Sequence, residues 1–223
     1  GEENATNLPW KALGVDLVLE CTGVYSSRVK AQAHIDAGAK RVLVSAAAGN
    51  NVPTVIYGIN EGTIEDNDLI VSGASCSAVG LAPLVKALNE IAPIEHGIST
   101  TIHAITPTQM VLDNPQRNGN LRRSRTAFAN IVPTTASAAK SVELVLPELK
   151  GKLSGSAIRV PVAKGSYITF VAIVKTPDIT AEKLNCEMKK RATGLFGYAE
   201  EELVSGDIAG TSHESIFDPF QTK

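Results

Sequence analysis

Short apolar runs divided by turn residues open the chain. Residues 15–20 are a β-branched and leucine-rich run that ends at Thr22-Gly23. Ser26 and Ser27 can then cap a helix reaching about residue 37, with Gly38 as its stop. Residues 41–46 return to a strand pattern, so this section reads as a β–turn–α–β unit with parallel strands. Shorter strands are expected at 54–57 and 68–71. From Cys76 the period changes, and Val79, Leu81, Leu84, Val85, Leu88 and Ile91 recur at helical spacing. A strand follows at 98–105. Residues 106–130 are then polar and without period, a length that in a compact domain usually serves function. A helix at 137–146, strands at 156–162 and 167–175 and a helix near 180–191 complete an α+β pattern with a largely antiparallel sheet. The expected division is at Ser75: residues 1–75 as part of a doubly wound α/β domain, residues 76–223 as a second domain. The chain begins at Gly1, runs quickly into a strand, and stops shortly after a strand-like stretch at 215–218. It is therefore expected to be an internal piece of a longer protein.

Composition narrows the function classes. With 223 residues, 43% of them hydrophobic, there is apolar material for one large domain or two small ones. A net charge of −2 gives no chain-wide positive field to recruit nucleic acid or an anionic membrane. The apolar runs are strand-sized, far below the ~20 residues that span a bilayer, and no signal segment is recognisable. Cys21, Cys76 and Cys186 form an odd set without metal-ligand spacing. They read as reduced thiols of a cytosolic protein with no bound metal, and the Asn4-Ala5-Thr6 sequon then carries no meaning.

One pair of residues suggests chemistry. A helix from Cys76 to Ile91 is about 24 Å long at 1.5 Å per residue. A strand from Ile98 to His103 returns about 20–23 Å at 3.3 Å per residue. The strand retraces the helix, so His103 falls beside Cys76. A helix N-terminus stabilises a thiolate, and a neighbouring imidazole lowers the thiol pKa and moves protons. The alternative is a buried inert thiol and a satisfied core histidine. Small polar neighbours around Cys76 favour the activated pair, but geometry alone does not choose.

Ser72-Gly73-Ala74-Ser75-Cys76-Ser77, followed by Leu81-Ala82-Pro83-Leu84, resembles the active-site signature of the phosphorylating glyceraldehyde-3-phosphate dehydrogenase family. Similar ordered matches run through Leu8-Pro9-Trp10, Glu20-Cys21-Thr22-Gly23, Ala37-Gly38-Ala39-Lys40 and Gly58-Ile59-Asn60-Glu61. They continue with Thr100-Thr101-Ile102-His103-Ala104, Leu121-Arg122-Arg123-Ser124-Arg125, Ile131-Val132-Pro133-Thr134-Thr135 and Arg159-Val160-Pro161. The resemblance implies part of a doubly wound, Rossmann-type NAD-binding domain over 1–75 and a catalytic domain over 76–223. It implies a glycolytic reaction: Cys76 attacks an aldehyde, His103 handles the proton, NAD accepts hydride, and inorganic phosphate cleaves the thioester to an acyl phosphate. It assigns Thr106 and Arg159 to the substrate phosphate, and Arg123, Ser75 and Ser77 to the attacking phosphate. Guanidiniums and hydroxyls suit that task. Thr22, Gly23, Ser45 and Ala46 are the implied cofactor contacts, near strand ends where doubly wound sheets bind ligands. A homotetramer is implied, with 106–130 making subunit contacts.

Arg122, Arg123 and Arg125 read on their own as a solvated or intersubunit basic cluster. A nucleic-acid surface is disfavoured because no aromatic residues interleave with them. The chain departs from the family pattern at Gly73, where Asn is usual, at Ser77, Ala78 and Val79, and at Ala136-Ser137, where a Thr-Gly pair is usual. Loss of that hydroxyl and of a glycine tolerant of left-handed backbone is expected to weaken phosphate binding. Within the class, erythrose-4-phosphate dehydrogenase is the alternative; outside it, a non-catalytic binding or scaffold remnant. His34, His96 and His213 read as surface or helix-end residues.

Overall fold

A computed structural model describes residues 1–116 and 119–223, so Arg117 and Asn118 of the long polar segment lie outside the described residues. Strand β1 (Leu17–Glu20) leads into helix α1 (Arg28–Asp36), and strands β2 (Arg41–Val44) and β3 (Ile70–Ser72) follow. The three strands form a parallel sheet in the order β1-β2-β3. Ser27 caps α1, its hydroxyl accepting from the Lys30 N–H. Gly38 ends the helix at φ +99°, where a Cβ would lie 2.4–2.9 Å from atoms of Lys11. That close approach, as much as the left-handed turn, requires glycine. Val18, Ala31, Val42, Val44 and Ile70 close a small core on one sheet face. On the opposite face Leu17 and Leu19 are exposed.

The strand expected at 54–57 does not form. Thr54 makes one isolated bridge to Ser72, and Val55 N–H donates to Ser72 O. Asn60 then takes the neighbouring backbone groups: its Oδ1 accepts from Ile56 N–H, and its Nδ2 donates to Thr54 O. A side-chain amide has replaced the sheet partner, and the chain turns away. His34 is at a helix end, as expected. It is in the last turn of α1 but buried against Glu20.

Helix α2 (Cys76–Ile91) begins where the period change predicted. Ala78, Leu81, Val85 and Leu88 face inward, and burying each larger side chain contributes about 1.5–3 kcal/mol. Strand β4 (Ile94–His103) follows after Ala92 and Pro93, starting four residues earlier than expected. Asn89 Oδ1 accepts from the Ile94 N–H and seats that start. After 106–130, which contains no helix or strand among its described residues, come β5 (Val132–Thr134), α3 (Ala138–Val145), β6 (Leu153–Arg159), β7 (Ser166–Val174) and α4 (Ala181–Lys190). Two three-residue strands, β8 (Phe196–Tyr198) and β9 (Ser215–Phe217), pair in parallel; β5 and β8 had no counterpart in the sequence reading.

The larger sheet has the order β5-β6-β4-β7. The β5–β6 and β4–β7 pairings are antiparallel, and only the central β6–β4 pairing is parallel. The second core lies between one face of this sheet and α2, α3 and α4, around Leu81, Val85, Ile94, Val142, Leu149 and Met188. The other face carries exposed Ile98, Tyr167, Val171 and Ile173. Among the described residues, no helix is long and apolar enough to cross a membrane.

Candidate active site

The short connection between α2 and β4 makes the strand retrace the helix, and their far ends meet. Cys76 Sγ lies 3.3 Å from His103 Nε2. Ser75 caps the helix, its hydroxyl accepting from the Ala78 N–H at 3.3 Å. The sulfur therefore stands at the positive end of a sixteen-residue helix and is open to solvent. The bond with His103 is the main influence holding the Cys76 thiol below its ordinary range. Burial opposes that lowering, while charge on His103, the Ser77 amide and the Arg159 charge add to it.

The other imidazole nitrogen has two neighbours. His103 Nδ1 is 2.7 Å from Ala104 O and 2.5 Å from Arg159 Nη1, which also donates to Ala104 O at 2.8 Å. A ring nitrogen serves one at a time. With Nδ1–H on Ala104 O, Nε2 is open to take the thiol proton. With Nδ1 accepting from Arg159, Nε2 carries the proton and donates to a thiolate. Register brings these groups together, because His103 pairs with Arg159 across the parallel β4–β6 ladder.

Arg159 opens a cationic, hydroxyl-lined cluster. Arg123 donates through Nε and Nη2 to Thr134 Oγ1 at 3.2 and 2.8 Å, and through Nη1 to Thr108 Oγ1 at 3.1 Å. Thr108 Oγ1 is 2.9 Å from Thr106 Oγ1. Burial, with the Arg123 charge adding, lowers the Arg159 pKa, and the Cys76 thiolate works against this. Buried Arg159 Nε has no hydrogen-bond partner. An orphaned cationic donor beside a second guanidinium suits an anion. Of the residues expected here, Cys76, His103, Thr106, Arg123 and Arg159 converge, with Ser77 in the first turn of α2. The Ser75 hydroxyl accepts the cap bond from the Ala78 N–H, which does not use its own O–H donor. Thr108 and Thr134 were missed; the Thr-Pro-Thr spacing at 106–108 was the available signal for Thr108.

The departures from the family pattern have plain backbone consequences. The left-handed residue before the thiol is Ala74, at φ +62°, not Gly73. A Cβ on Gly73 would meet Val44 O at an ordinary 3.5 Å. Ser137 sits at φ −104°, in ordinary right-handed backbone at the start of α3.

Thr22, Gly23, Ser45 and Ala46 belong to the other sheet, immediately beyond the C-terminal ends of β1 and β2. Parallel strands end on one edge, and β3 also ends there at Ser72, from which the chain reaches Cys76. Gly73 N–H donates to Val44 O and Ser72 Oγ to Ala46 O, tying the strand ends to the turn before the thiol. Gly23 sits at φ +74° with open space where a side chain would be.

Residues 75–223 match the sequence model of a family described as glyceraldehyde 3-phosphate dehydrogenase, C-terminal domain. Over its whole length the chain is 51% identical to the glyceraldehyde-3-phosphate dehydrogenase of Lactobacillus delbrueckii subsp. bulgaricus. It is 46% identical to that of Clostridium pasteurianum and 44% identical to that of Streptococcus pyogenes serotype M1. In each comparison the match covers 100% of this chain and 66% of the relative, so the chain spans about two thirds of their length.

Proposed function

The chain belongs to the glyceraldehyde-3-phosphate dehydrogenase family, and from that premise we propose that it contributes the catalytic centre of an NAD-dependent, phosphorylating oxidation of glyceraldehyde 3-phosphate. The observation that carries this reading is the open Cys76 thiol, 3.3 Å from His103 at a helix start and beside two arginines. Residues 1–75 serve as part of the dinucleotide-binding domain and residues 76–223 as the catalytic domain.

Cys76 Sγ adds to the aldehyde carbon, forming a C–S bond, and the carbonyl oxygen takes up a proton. His103 Nε2 receives the thiol proton and returns one to that oxygen, which it also stabilises as negative charge develops. Thr22, Gly23, Ser45 and Ala46 would hold the nicotinamide dinucleotide, which when bound would supply the hydride acceptor; as the thiohemiacetal carbon gives up its hydride, His103 Nε2 takes the hydroxyl proton, leaving a thioester on Cys76. Inorganic phosphate then attacks the acyl carbon, the C–S bond breaks, and the acyl phosphate leaves. Arg159 and Thr106 hold the substrate phosphate. Arg123 and Ser77 flank the attacking phosphate, with Ser75 fixing the helix start between them.

The same reading makes the protein a cytosolic glycolytic homotetramer with subunit contacts from 106–130. The uncovered sheet face bearing Ile98, Val171 and Ile173 supports association, and a monomeric mass in solution would contradict it. The direct test is phosphate-dependent NADH formation from glyceraldehyde 3-phosphate, abolished by Cys76→Ser. Faster turnover of erythrose 4-phosphate would move the assignment to the alternative dehydrogenase. NAD binding without turnover of either aldehyde would leave the non-catalytic binding role.

A further inference from the structure

A second histidine network lies behind the cofactor edge. Glu20 and His34 are 3% and 4% exposed, and Glu20 Oε2 is 2.9 Å from His34 Nε2. Trp10 Nε1–H donates to His34 Nδ1 at 3.2 Å. An indole N–H only donates, so Nδ1 must accept, which places the ring proton on Nε2 and aims it at Glu20. The other carboxylate oxygen, Oε1, accepts from the Thr22 N–H at 2.7 Å and from the Thr22 hydroxyl. Three donors therefore converge on Glu20 with no competing acceptor. Burial pushes the Glu20 carboxyl up, but the bonds from Thr22 and His34 outweigh it and hold the pKa below the usual range. Because the Thr22 proton is directed inward and its oxygen takes the Val24 N–H at 3.1 Å, Thr22 can offer a ligand only an acceptor.

We propose that Glu20 is a positioning residue for the dinucleotide site: it fixes Thr22 and Gly23 at the strand end, and His34, oriented by Trp10, keeps its carboxylate aimed. This rests on the reading of Thr22 and Gly23 as cofactor contacts. The ligand group it prepares for is a hydrogen-bond donor, such as a carboxamide N–H or a sugar hydroxyl, meeting the remaining Thr22 lone pair.

Glutamine tests the arrangement, because its NH₂ must face a donor at either end. In Glu20→Gln of the whole protein, the Thr22 amide should exchange with solvent about tenfold faster or more, and NAD should bind about tenfold more weakly. The KM for NAD should rise while kcat stays within about twofold and the Cys76 alkylation rate holds. Emission from Trp10, the single tryptophan, should change as the donor conflict reaches it. Thr22→Val removes only the hydroxyl and should weaken NAD binding by a smaller factor; it keeps the test decisive where Glu20→Gln does not fold. Unchanged Thr22 exchange together with unchanged Trp10 emission in Glu20→Gln overturns the proposal, as does faster exchange with unchanged NAD affinity; where the emission alone changes, Thr22→Val decides. Unchanged NAD affinity in Thr22→Val overturns it too. A wild-type protein that binds no NAD overturns instead the cofactor reading beneath it.

Discussion

His34 and His103 each lie at the end of an element and meet a partner across a strand end, yet the surroundings give them opposite fates. His34 is sealed: Trp10 and Glu20 take both ring nitrogens, and the carboxylate's remaining oxygen holds Thr22. Nothing in that network has a vacancy for a reacting atom. His103 has an open thiol on one nitrogen, while a carbonyl and a guanidinium compete for the other. A closed donor–acceptor chain has one stable arrangement and orders a loop. An open one has two of similar standing, and the proton can move between them.

The largest expected effect lies on the open side. His103→Asn should lower turnover by about 10²–10⁴-fold with little change in melting temperature. A loss under tenfold would remove His103 from the chemistry. Removing the closed histidine should do the reverse. His34→Ala takes one of three donors from the buried Glu20 carboxylate and should cost about 1.5–3 kcal/mol in denaturant unfolding. A folded His34→Ala protein with slowed Cys76 alkylation would break the separation between the two regions.

Acid sharpens the contrast. Glu20 titrates below its unfolded value, so its stabilising contribution is complete above the ordinary carboxylate pKa of about 4.3 and disappears as pH falls through the lower folded value. A pH titration of Trp10 emission should therefore show its transition below about pH 4.3. A transition well above pH 4.3 would contradict the assignment to Glu20. The smallest effect belongs to the turn before the thiol. Gly73→Asn should change stability by no more than about 0.5 kcal/mol, because a Cβ there makes only ordinary van der Waals contacts and the backbone is not left-handed. A larger destabilisation, read from the urea midpoint, would show that glycine is required.

Parts of this were legible in the residues because they follow one local rule. The α2 period, starting just after the boundary at Ser75, placed the thiol, and matched lengths brought His103 back to it. Ser27 and Gly38 likewise bounded α1. What escaped depended on partners distant in sequence. Asn60 overrode the strand at 54–57 with side-chain bonds, and β5 and β8 are too short to show a period. Nothing local pairs Arg159 with His103; the register of β4 on β6 does, and only the family resemblance anticipated a role for that arginine. Glu20 looked like the polar end of a strand. Its alternation with Val18 places it on the buried face, and His34 follows Ala31 on the buried side of α1. Those two parities were the available signal for the closed network.

Site-resolved alkylation of the chain across pH reads whether Cys76 is a thiolate prepared by His103. The Cys76 rate should rise through a midpoint clearly below the ordinary thiol value of about 8.5, outpace Cys21 and Cys186 in the same sample near pH 6.5, and fall about tenfold or more there in His103→Ala. A Cys76 midpoint near 8.5 that His103→Ala leaves in place would contradict it.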